Sequence, residues 1–318
     1  LMTAYAIGVR VVGAVICIRD RGTTIMKIFD CITYYNEPML FDLRLNVLNQ
    51  YVDKFIVIEA RHSHSGKKKN LNFDIENYKK FKDKIIYKVI DNEPDGIIEI
   101  NKSDSLQNQS NQKRLNSLKR IEQSYDTAVE CLKDANQEDI FTLNDSDEIP
   151  KYENFNFKNI KNNILIAKLK LCYFKFNLYY DLHPWYGTRA CKIKNLLSPT
   201  WLKYIKPKKY PLWRLDTFFS KTKYINVKII EDGGWHFSNL KSPEEIEDKM
   251  LNFGHHNEVE DSRIGLKDIK SMINEKKVIF AHNRKPDDPS INLSKLTRDE
   301  LPKYVSDNLN KYDNWLDK

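Results

Sequence analysis

The spacing of apolar and polar residues in the first half of the chain predicts a βαβ unit. Two apolar runs, residues 27–33 (KIFDCIT) and 54–60 (KFIVIEA), flank residues 39–51, where apolar side chains recur at helical spacing. A third apolar run covers residues 84–90. A strand, a helix and a strand within about 35 residues indicate parallel pairing, because the helix carries the chain back across the sheet.

A further helix and strand are predicted before Pro150. Residues 112–134 carry apolar side chains every three or four positions, which indicates a helix with one apolar face. Residues 101–112, just before it, are rich in Asn and Gln and predict a loop over the sheet edge. The apolar run at residues 140–143 (IFTL) predicts another strand of the same sheet.

The pattern changes after Pro150. Residues 168–180 (KLKLCYFKFNLYY) and 222–231 (TKYINVKIIE) alternate polar and apolar side chains, which is typical of half-buried antiparallel strands. Ser242 begins the capping-box pattern S-P-E-E, and residues 298–318 predict helices interrupted near a proline. The whole pattern predicts an α/β fold. Its central sheet is mostly parallel and flanked by helices, with mixed or antiparallel strands and helices in the second half.

Composition narrows the class of protein without identifying a function. The chain has 318 residues, of which 41% are hydrophobic and 30% charged, so it can bury a core and remain soluble. The net charge of +8 favours anionic ligands, although the densest basic run, residues 67–69, is typical of a solvated loop. No zinc-finger spacing or basic repeat occurs, so we expect no nucleic-acid partner.

The cysteines and the first residues bear on location. Five scattered cysteines without a C-x-x-C pair are typical of a reducing compartment, so we expect a cytoplasmic protein. Its basic surface would allow peripheral contact with a membrane, and the sequence leaves that association open.

Residues 4–18 are apolar but interrupted by Arg10, and a membrane span needs about 20 residues. We therefore expect residues 1–25 to be an extension, either a non-native start or a weak anchor, before Met26.

Acidic residues at the end of the 140–143 strand predict a metal site. The stretch IFTLNDSDEIP places Asp145, Asp147 and Glu148 directly after the apolar run. The first two are two residues apart, so on extended backbone they would project to the same side. Hard oxygen ligands favour Mg²⁺ or Mn²⁺, which usually also takes phosphate oxygens from a substrate. We therefore expect a nucleotide diphosphate here, with a solvated acidic turn as the alternative.

A second stretch whose side chains could bind a ligand or take part in catalysis is EDGGWHFS at residues 231–238. Gly233 and Gly234 would let the backbone approach a ligand closely, and Trp235 offers a flat apolar face for a sugar ring. His236 can supply a nitrogen to a metal or a proton to a phosphate. The alternative is a packed tryptophan and a hydrogen-bonded histidine at a turn.

With these motifs the chain resembles glycosyltransferase family 17, from about Met26 to the C-terminal helix. The stretches that carry the resemblance are IFDCITYYNEPMLFDLRLNVL, FIVIEA, HSGKKKNLNF, DSDEIP, GGWHFSNL and LPKYVSDN. The resemblance implies a GT-A type fold, a nucleotide-sugar donor and inversion at the anomeric carbon. It also implies one domain over residues 26–318, with a nucleotide-binding half at 26–150 and an acceptor-binding half at 151–318.

The resemblance assigns roles to individual residues. Asp147 would hold Mn²⁺, Asp145 the ribose or a metal-bound water, and His236 would reach the metal or the diphosphate. The residues implied to surround the uridine and ribose are Thr33, Tyr34, Asn36, Glu37 and Glu59. Relatives tend to carry a Gln-Arg pair where this chain has Ser124 and Tyr125. Arg114, Lys119 or Arg120 would have to compensate.

Inverting transfer also needs a base that takes the proton of the acceptor hydroxyl. We expect Asp232 in this role, with Glu231 second and Asp181 or Glu148 as alternatives. Trp185 and Trp235 are the expected platforms for the acceptor or donor sugar.

The expected function is thus metal-dependent transfer of a sugar from a UDP-sugar donor to a glycan acceptor. The resemblance implies N-acetylglucosamine as the sugar. The acceptor would be a glycoprotein, a lipopolysaccharide or another surface polysaccharide. The alternatives are a metal-dependent nucleotidyl or phosphoryl transferase and a non-catalytic carbohydrate-binding protein.

Overall fold

The computed structural model describes residues 26–253, 264–279 and 291–318. The extension predicted at residues 1–25 lies outside these described residues. Within them, ten strands form one sheet. The strands are β1 Ile28–Thr33, β2 Lys54–Ala60, β3 Ile85–Ile90, β4 Ile140–Asp145, β5 Glu148–Pro150, β6 Ile164–Tyr173, β7 Leu178–Lys192, β8 Val227–Ile230, β9 Gly234–Ser238 and β10 Ser294–Lys295.

The sheet has the predicted division into a parallel first half and a mixed second half. Its order is β3-β2-β1-β4-β7-β6-β9-β5, with β8 beside β6 and β10 beside β7. β1 pairs in parallel with β2 and β4, and β2 pairs in parallel with β3. β7 is antiparallel to both β4 and β6. The predicted α/β fold is therefore confirmed.

Helices cover the sheet and line one of its edges. The α-helices of the described residues are α1 Pro38–Leu48, α2 Leu106–Asp126, α3 Pro199–Tyr204, α4 Asp216–Phe219, α5 Pro243–Asn252, α6 Leu266–Asn274 and α7 Lys303–Asp307. The capping box predicted at Ser242 is present at the start of α5. No helix in this part of the chain is both long and apolar enough to cross a lipid bilayer.

Two predicted boundaries are wrong. α2 begins at Leu106, inside the predicted loop 101–112, because the Ser105 hydroxyl accepts the backbone N–H of Asn108 and caps the helix. The predicted strand 168–180 is two strands, β6 and β7, joined by a turn. Phe174 takes a positive φ of 63° in that turn, although it is not glycine.

The central strands are buried on both faces. In β1, Ile28 and Ile32 pack on the side of α1, whereas Phe29 and Cys31 pack with Tyr125 of α2 on the opposite side. Burial on both faces explains why KIFDCIT reads as a continuous apolar run rather than as an alternating one.

A buried polar network lies under the ends of β1 and β4. Arg44 of α1 forms a two-pronged ion pair with Asp30 of β1, with Nη2 2.8 Å from Oδ1, and it also donates to the carbonyl of Glu148. Tyr152 and Asn144 donate to the same Asp30 carboxylate. The network joins α1, β1, β4 and β5, so it fixes the positions of the strand ends that carry the acidic residues.

Candidate functional site

A cavity of about 630 Å³ opens at the carboxyl ends of β1 and β4. Thr33, the last residue of β1, pairs with Asp145, the last residue of β4, so the two strand ends lie side by side. The turn after β4 and residues of α2, β7, β9 and α5 complete the wall. Ligands of open α/β sheets bind at this edge.

Asp145 and Asp147 lie at a tight turn, which corrects the extended geometry expected from the sequence. β4 ends at Asp145, residues 146 and 147 form the turn, and β5 begins at Glu148. Because the chain reverses here, strand alternation does not set the side-chain directions. Both Asp145 and Asp147 nevertheless line the cavity.

Asp145 is held by a cation from α3. Lys203 Nζ donates to Asp145 Oδ1 at 2.7 Å, and the Tyr125 hydroxyl lies 3.5 Å from the same oxygen. Burial raises the pKa of Asp145, Lys203 opposes that shift, and the nearby acids Glu148 and Asp147 add to it. The lysine is thus the group that favours the charged form of this carboxyl.

Asp147 is held in the same way by a cation from α5. Lys249 Nζ donates to Asp147 Oδ2 at 2.9 Å, and the backbone N–H of Phe237 donates to the Asp147 carbonyl at 2.8 Å. Burial would raise the pKa of Asp147, but Lys249 and His236 outweigh it and lower this pKa well below the ordinary 3.8. Asp147 is therefore an anion at neutral pH.

Glu148 lies fully buried behind the turn. Trp185 Nε1 donates to its Oε1 at 2.8 Å, and the backbone N–H of Asp145 donates to its Oε2 at 3.2 Å. Burial opposes its ionisation, but Lys203, His236 and Trp185 lower its pKa to about 2. A buried glutamate with these partners supports the turn and is poorly placed to accept a substrate proton.

His236 of β9 carries a polar atom without a partner. Its Nδ1 atom is buried and neither donates nor accepts a hydrogen bond. This atom lies 3.7 Å from Asp147 Oδ1 and 3.8 Å from Glu148 Oε1. The Trp185 ring packs against the imidazole with centroids 4.3 Å apart. Burial lowers the pKa of His236, but Asp147 and Glu148 outweigh burial and raise it. This buried nitrogen therefore lies within ion-pair range of two carboxylates without a hydrogen bond to either, so its environment is polar and negatively charged.

The residues at the turn fit a divalent cation. Imidazole nitrogen and carboxylate oxygen are ligands that Mn²⁺ accepts, and His236 Nδ1 and Asp147 Oδ1 face each other with no hydrogen bond between them. Within residues 26–253, 264–279 and 291–318, no group of three or more His, Cys, Asp or Glu side chains is arranged to hold a metal. A cation here would therefore need further ligands from a substrate such as a diphosphate.

The residues predicted to surround the nucleotide fall into two groups. Thr33, Tyr34 and Glu37 line the cavity. Asn36 and Glu59 do not, and their contacts suit a supporting role instead. The carbonyl of Asn36 accepts Lys241, and the buried Glu59 carboxylate accepts Lys69, the Tyr87 hydroxyl and the backbone N–H groups of residues 72 and 73. Glu59 therefore orients Lys69, which does line the cavity.

Helix α2 supplies another part of the wall. Ser124 and Tyr125, which replace the expected Gln-Arg pair, both line the cavity, and so does Arg114. Lys119 instead donates to the carbonyl of Gly96, and Arg120 pairs with Glu93 at 2.7 Å. Arg114 is thus the one of the three proposed substitutes that reaches the cavity.

The predicted bases do not lie in this cavity. Asp232 is half-exposed and pairs with Lys151 at 2.7 Å, whereas Glu231 is exposed and pairs with Lys168 at 2.9 Å. Both precede β9, the strand that carries His236, and neither lines the cavity. The cavity wall therefore gives no support to the prediction that Asp232 or Glu231 takes the acceptor proton, which stays a prediction.

The Gly-Gly pair and Trp235 serve packing rather than a ligand, which corrects two further predictions. A Cβ on Gly234 would lie 2.3 Å from the Ile149 carbonyl oxygen, and one on Gly233 would lie 2.7 Å from the Ala167 Cβ. Trp235 is buried in the core and donates to the Glu300 carbonyl at 2.8 Å. Of the two predicted sugar platforms, only Trp185 lines the cavity.

Sequence reasoning missed the two lysines at the acidic turn. Lys203 and Lys249 lie 58 and 102 positions from the aspartates that they contact. The capping box before α5 located the helix that carries Lys249, but nothing in the sequence indicated that this helix faces β4. The contacts of these two lysines therefore depend on the tertiary fold and have no local sequence pattern.

The chain matches a known protein family over nearly its whole length. A model of glycosyltransferase family 17 matches residues 17–316. No curated protein matches the chain. The chain is similar to the crystal structure of HddC from Yersinia pseudotuberculosis complexed with GMP-PN, at 12% identity and a TM-score of 0.31, covering 65% of this chain and 90% of that one. It is also similar to a "Putative Glucose-1-Phosphate Thymidylyltransferase" from Bacillus anthracis in complex with a sucrose, at 12% identity and a TM-score of 0.33, covering 66% and 88%.

Proposed function

The chain belongs to glycosyltransferase family 17, and on that premise we propose that it moves N-acetylglucosamine from a UDP-sugar to a glycan hydroxyl, with inversion. The family establishes glycosyl transfer, a sugar donor and a glycan acceptor. The donor, the sugar and the dependence on Mn²⁺ or Mg²⁺ belong to the proposal. One observation carries it: the acidic turn after β4 and His236, whose Nδ1 has no hydrogen bond, lie together in the wall of the cavity.

The cavity has distinct surfaces for the two parts of a nucleotide sugar. The end of β1 and the following residues, Thr33 and Tyr34, offer a partly apolar wall suited to a base and ribose. Lys69 and Arg114 bring positive charge to the same cavity, where a diphosphate carries negative charge. The indole of Trp185 lies nearer the acidic turn and offers a face to a sugar ring.

Charge at the acidic turn supports departure of a diphosphate. A divalent cation held by Asp147 and His236 would supply positive charge opposite the leaving group. Lys249 and Lys203 form ion pairs with the two aspartates. Each lysine lies close enough to the turn to exchange its carboxylate partner for a phosphate oxygen, and such exchange retains charge balance.

The proton acceptor belongs among the groups that line the cavity. The carboxyl groups in the described wall are those of Glu37, Asp145 and Asp147. Glu37 accepts the backbone N–H groups of residues 35 and 36, which fixes its orientation beside the donor surface. His62 and His64 also line the cavity, and imidazole is a common general base in enzymes.

The test is a nucleotide-sugar panel incubated with Mn²⁺ and mannose-terminated oligosaccharides. We expect UDP release and a β-linked product from UDP-N-acetylglucosamine, with both lost in EDTA. Asp147→Asn should remove activity, and Asp232→Asn, a matched change outside the cavity, should retain it. Thermal shift with UDP, with and without Mn²⁺, gives a readout independent of the acceptor.

Three outcomes would contradict the proposal. Release of pyrophosphate instead of UDP would indicate nucleotidyl transfer. Full activity in EDTA would remove the cation from the mechanism. Stabilisation by free glycan with none by any nucleotide sugar would indicate a carbohydrate-binding protein.

A further inference from the structure

The described residues include seven large apolar side chains that are at least 69% exposed, and most of them lie in one segment, residues 206–223. The five in this segment are Leu212, Trp213, Leu215, Phe218 and Phe219. Single exposed apolar side chains are normal on a protein surface, but five between positions 212 and 219 are not. The cavity described above does not include them.

The backbone of the segment brings these side chains together at a tip. The N–H of Lys206 donates to the Thr222 carbonyl at 2.8 Å, so the two ends of the segment meet. Between them, hydrogen bonds link residues three apart, from Arg214 to Pro211 and from Phe218 to Leu215. Side chains three residues apart lie on the same side of such turns. The five exposed apolar side chains thus lie within eight consecutive residues between the two joined ends, and Thr217 among them is buried.

Basic residues precede and follow this apolar tip in the sequence. The segment holds six basic residues against one acidic residue: Lys206, Lys208, Lys209, Arg214, Lys221 and Lys223 against Asp216. Asp216 is paired with both Arg214 and Lys223, so its negative charge is compensated within the loop. Lys208 and Lys209 are exposed and stand before the tip in sequence.

We propose that the 206–223 segment binds the surface of an anionic lipid bilayer, with its apolar tip among the acyl chains and its lysines at the headgroups. A loop with exposed aromatic and leucine side chains in its middle and lysines toward its joined ends has the amphipathic order of a lipid interface. The charge of the segment complements acidic headgroups, and each lysine near such a surface adds to binding. This inference does not depend on the proposed sugar donor.

The test is sedimentation of the full chain with vesicles of phosphatidylcholine alone, or of phosphatidylcholine and phosphatidylglycerol in equal parts. We expect binding to the anionic vesicles and little to the neutral ones. Lys208→Gln with Lys209→Gln should weaken binding about 30-fold. Lys79→Gln with Lys80→Gln, an exposed adjacent pair elsewhere, should not.

The apolar tip is tested separately. Phe219→Ser should weaken binding about tenfold, whereas Leu106→Ser, an equally exposed apolar site on α2, should leave it unchanged. Brominated acyl chains should quench the fluorescence of Trp213, and Trp213→Phe should abolish that quenching while vesicle binding persists. The circular dichroism spectrum of each variant checks its fold.

The contrary results are distinct. Equal binding to both vesicle types, or none to either, would overturn the proposal. Equal loss in the variants and in their matched controls would also overturn it. A concentration-dependent dimer that Phe219→Ser dissociates, without vesicle binding, would assign the tip to a second copy of the chain instead.

Discussion

The Nδ1 atom of His236 faces Asp147 Oδ1 at 3.7 Å, and no hydrogen bond joins the two atoms. We therefore expect His236→Ala to abolish the Mn²⁺-dependent part of the thermal stabilisation by UDP. Turnover should fall on the order of 100-fold or more, because the loss of a cation ligand costs several kcal/mol of transition-state stabilisation.

The control for this prediction is His183→Ala, since His183 is a histidine outside the cavity wall. Calorimetric titration of Mn²⁺ in the presence of UDP measures the affinity directly. Unchanged Mn²⁺ affinity in His236→Ala would exclude His236 as a ligand.

Removal of Lys249 should destabilise the protein in a way that Mn²⁺ partly repairs. Lys249→Met leaves Asp147 buried and charged without its cation. Breaking a buried pair costs about 3–5 kcal/mol, and we expect about 2 kcal/mol because the lysine is partly exposed to solvent. Urea unfolding with EDTA and with Mn²⁺ measures the effect, and Mn²⁺ should restore more stability to the variant than to the wild type.

Lys249→Arg is the matched variant that keeps the charge, and it should retain most of the stability. Equal gains from Mn²⁺ in the wild type and in Lys249→Met would show that the cation does not bind at this carboxylate.

Asp232→Asn should leave turnover within about twofold of the wild type, because the surface pair with Lys151 contributes little to stability and lies away from the cavity. Steady-state kinetics with a fixed donor and acceptor measure this. A fall in turnover of tenfold or more would indicate that Asp232 takes part in the reaction.

Two tryptophans should separate activity from stability. Trp185→Phe keeps a ring beside His236 but loses the hydrogen bond to Glu148, so we expect lower turnover with a small change in stability. Trp235→Ala should destabilise the fold by about 3–5 kcal/mol, because it deletes a buried side chain. Kinetics and urea unfolding of both variants test the division, and equal stability losses would contradict it.

Acid should weaken the fold through Glu148. The pKa of this group is about 2 in the folded protein against an ordinary 4.5, so its charged form stabilises the fold above the ordinary value. That stability is lost as the pH falls from about 4.5 toward 2. Unfolding free energies at about pH 5 and about pH 3 should differ less in Glu148→Gln than in the wild type. Equal differences would assign the acid sensitivity to other groups.

Local patterns sufficed for the parallel half of the sheet. The continuous apolar runs of β1, β2 and β4 follow from burial on both faces, so the strands and the acidic strand end were readable. The turn between β6 and β7 was not readable, because Phe174 has none of the usual turn chemistry. Two hydrogen bonds to distant residues hold this turn in place. The backbone N–H of Phe174 donates to the Ser238 carbonyl, and the backbone N–H of Phe176 donates to the Trp315 carbonyl.

The site was predictable where its residues share a strand end and not where they meet across the fold. Asp145, Asp147 and His236 were found from local motifs, and they do come together. Asp232, the expected base, instead pairs with Lys151 outside the cavity wall. Lys203 and Lys249 come from helices whose orientation no local pattern encodes.

The position of Lys203 bears on which kind of acceptor the protein would use. This lysine contacts Asp145 in the cavity and stands three residues before the 206–223 segment. A chain anchored by that loop would hold its reaction centre beside the headgroups, where a glycan attached to a lipid is confined to the same thin layer. Confinement raises the effective concentration of such a glycan into the millimolar range, so even weak affinity for the sugar itself would be enough.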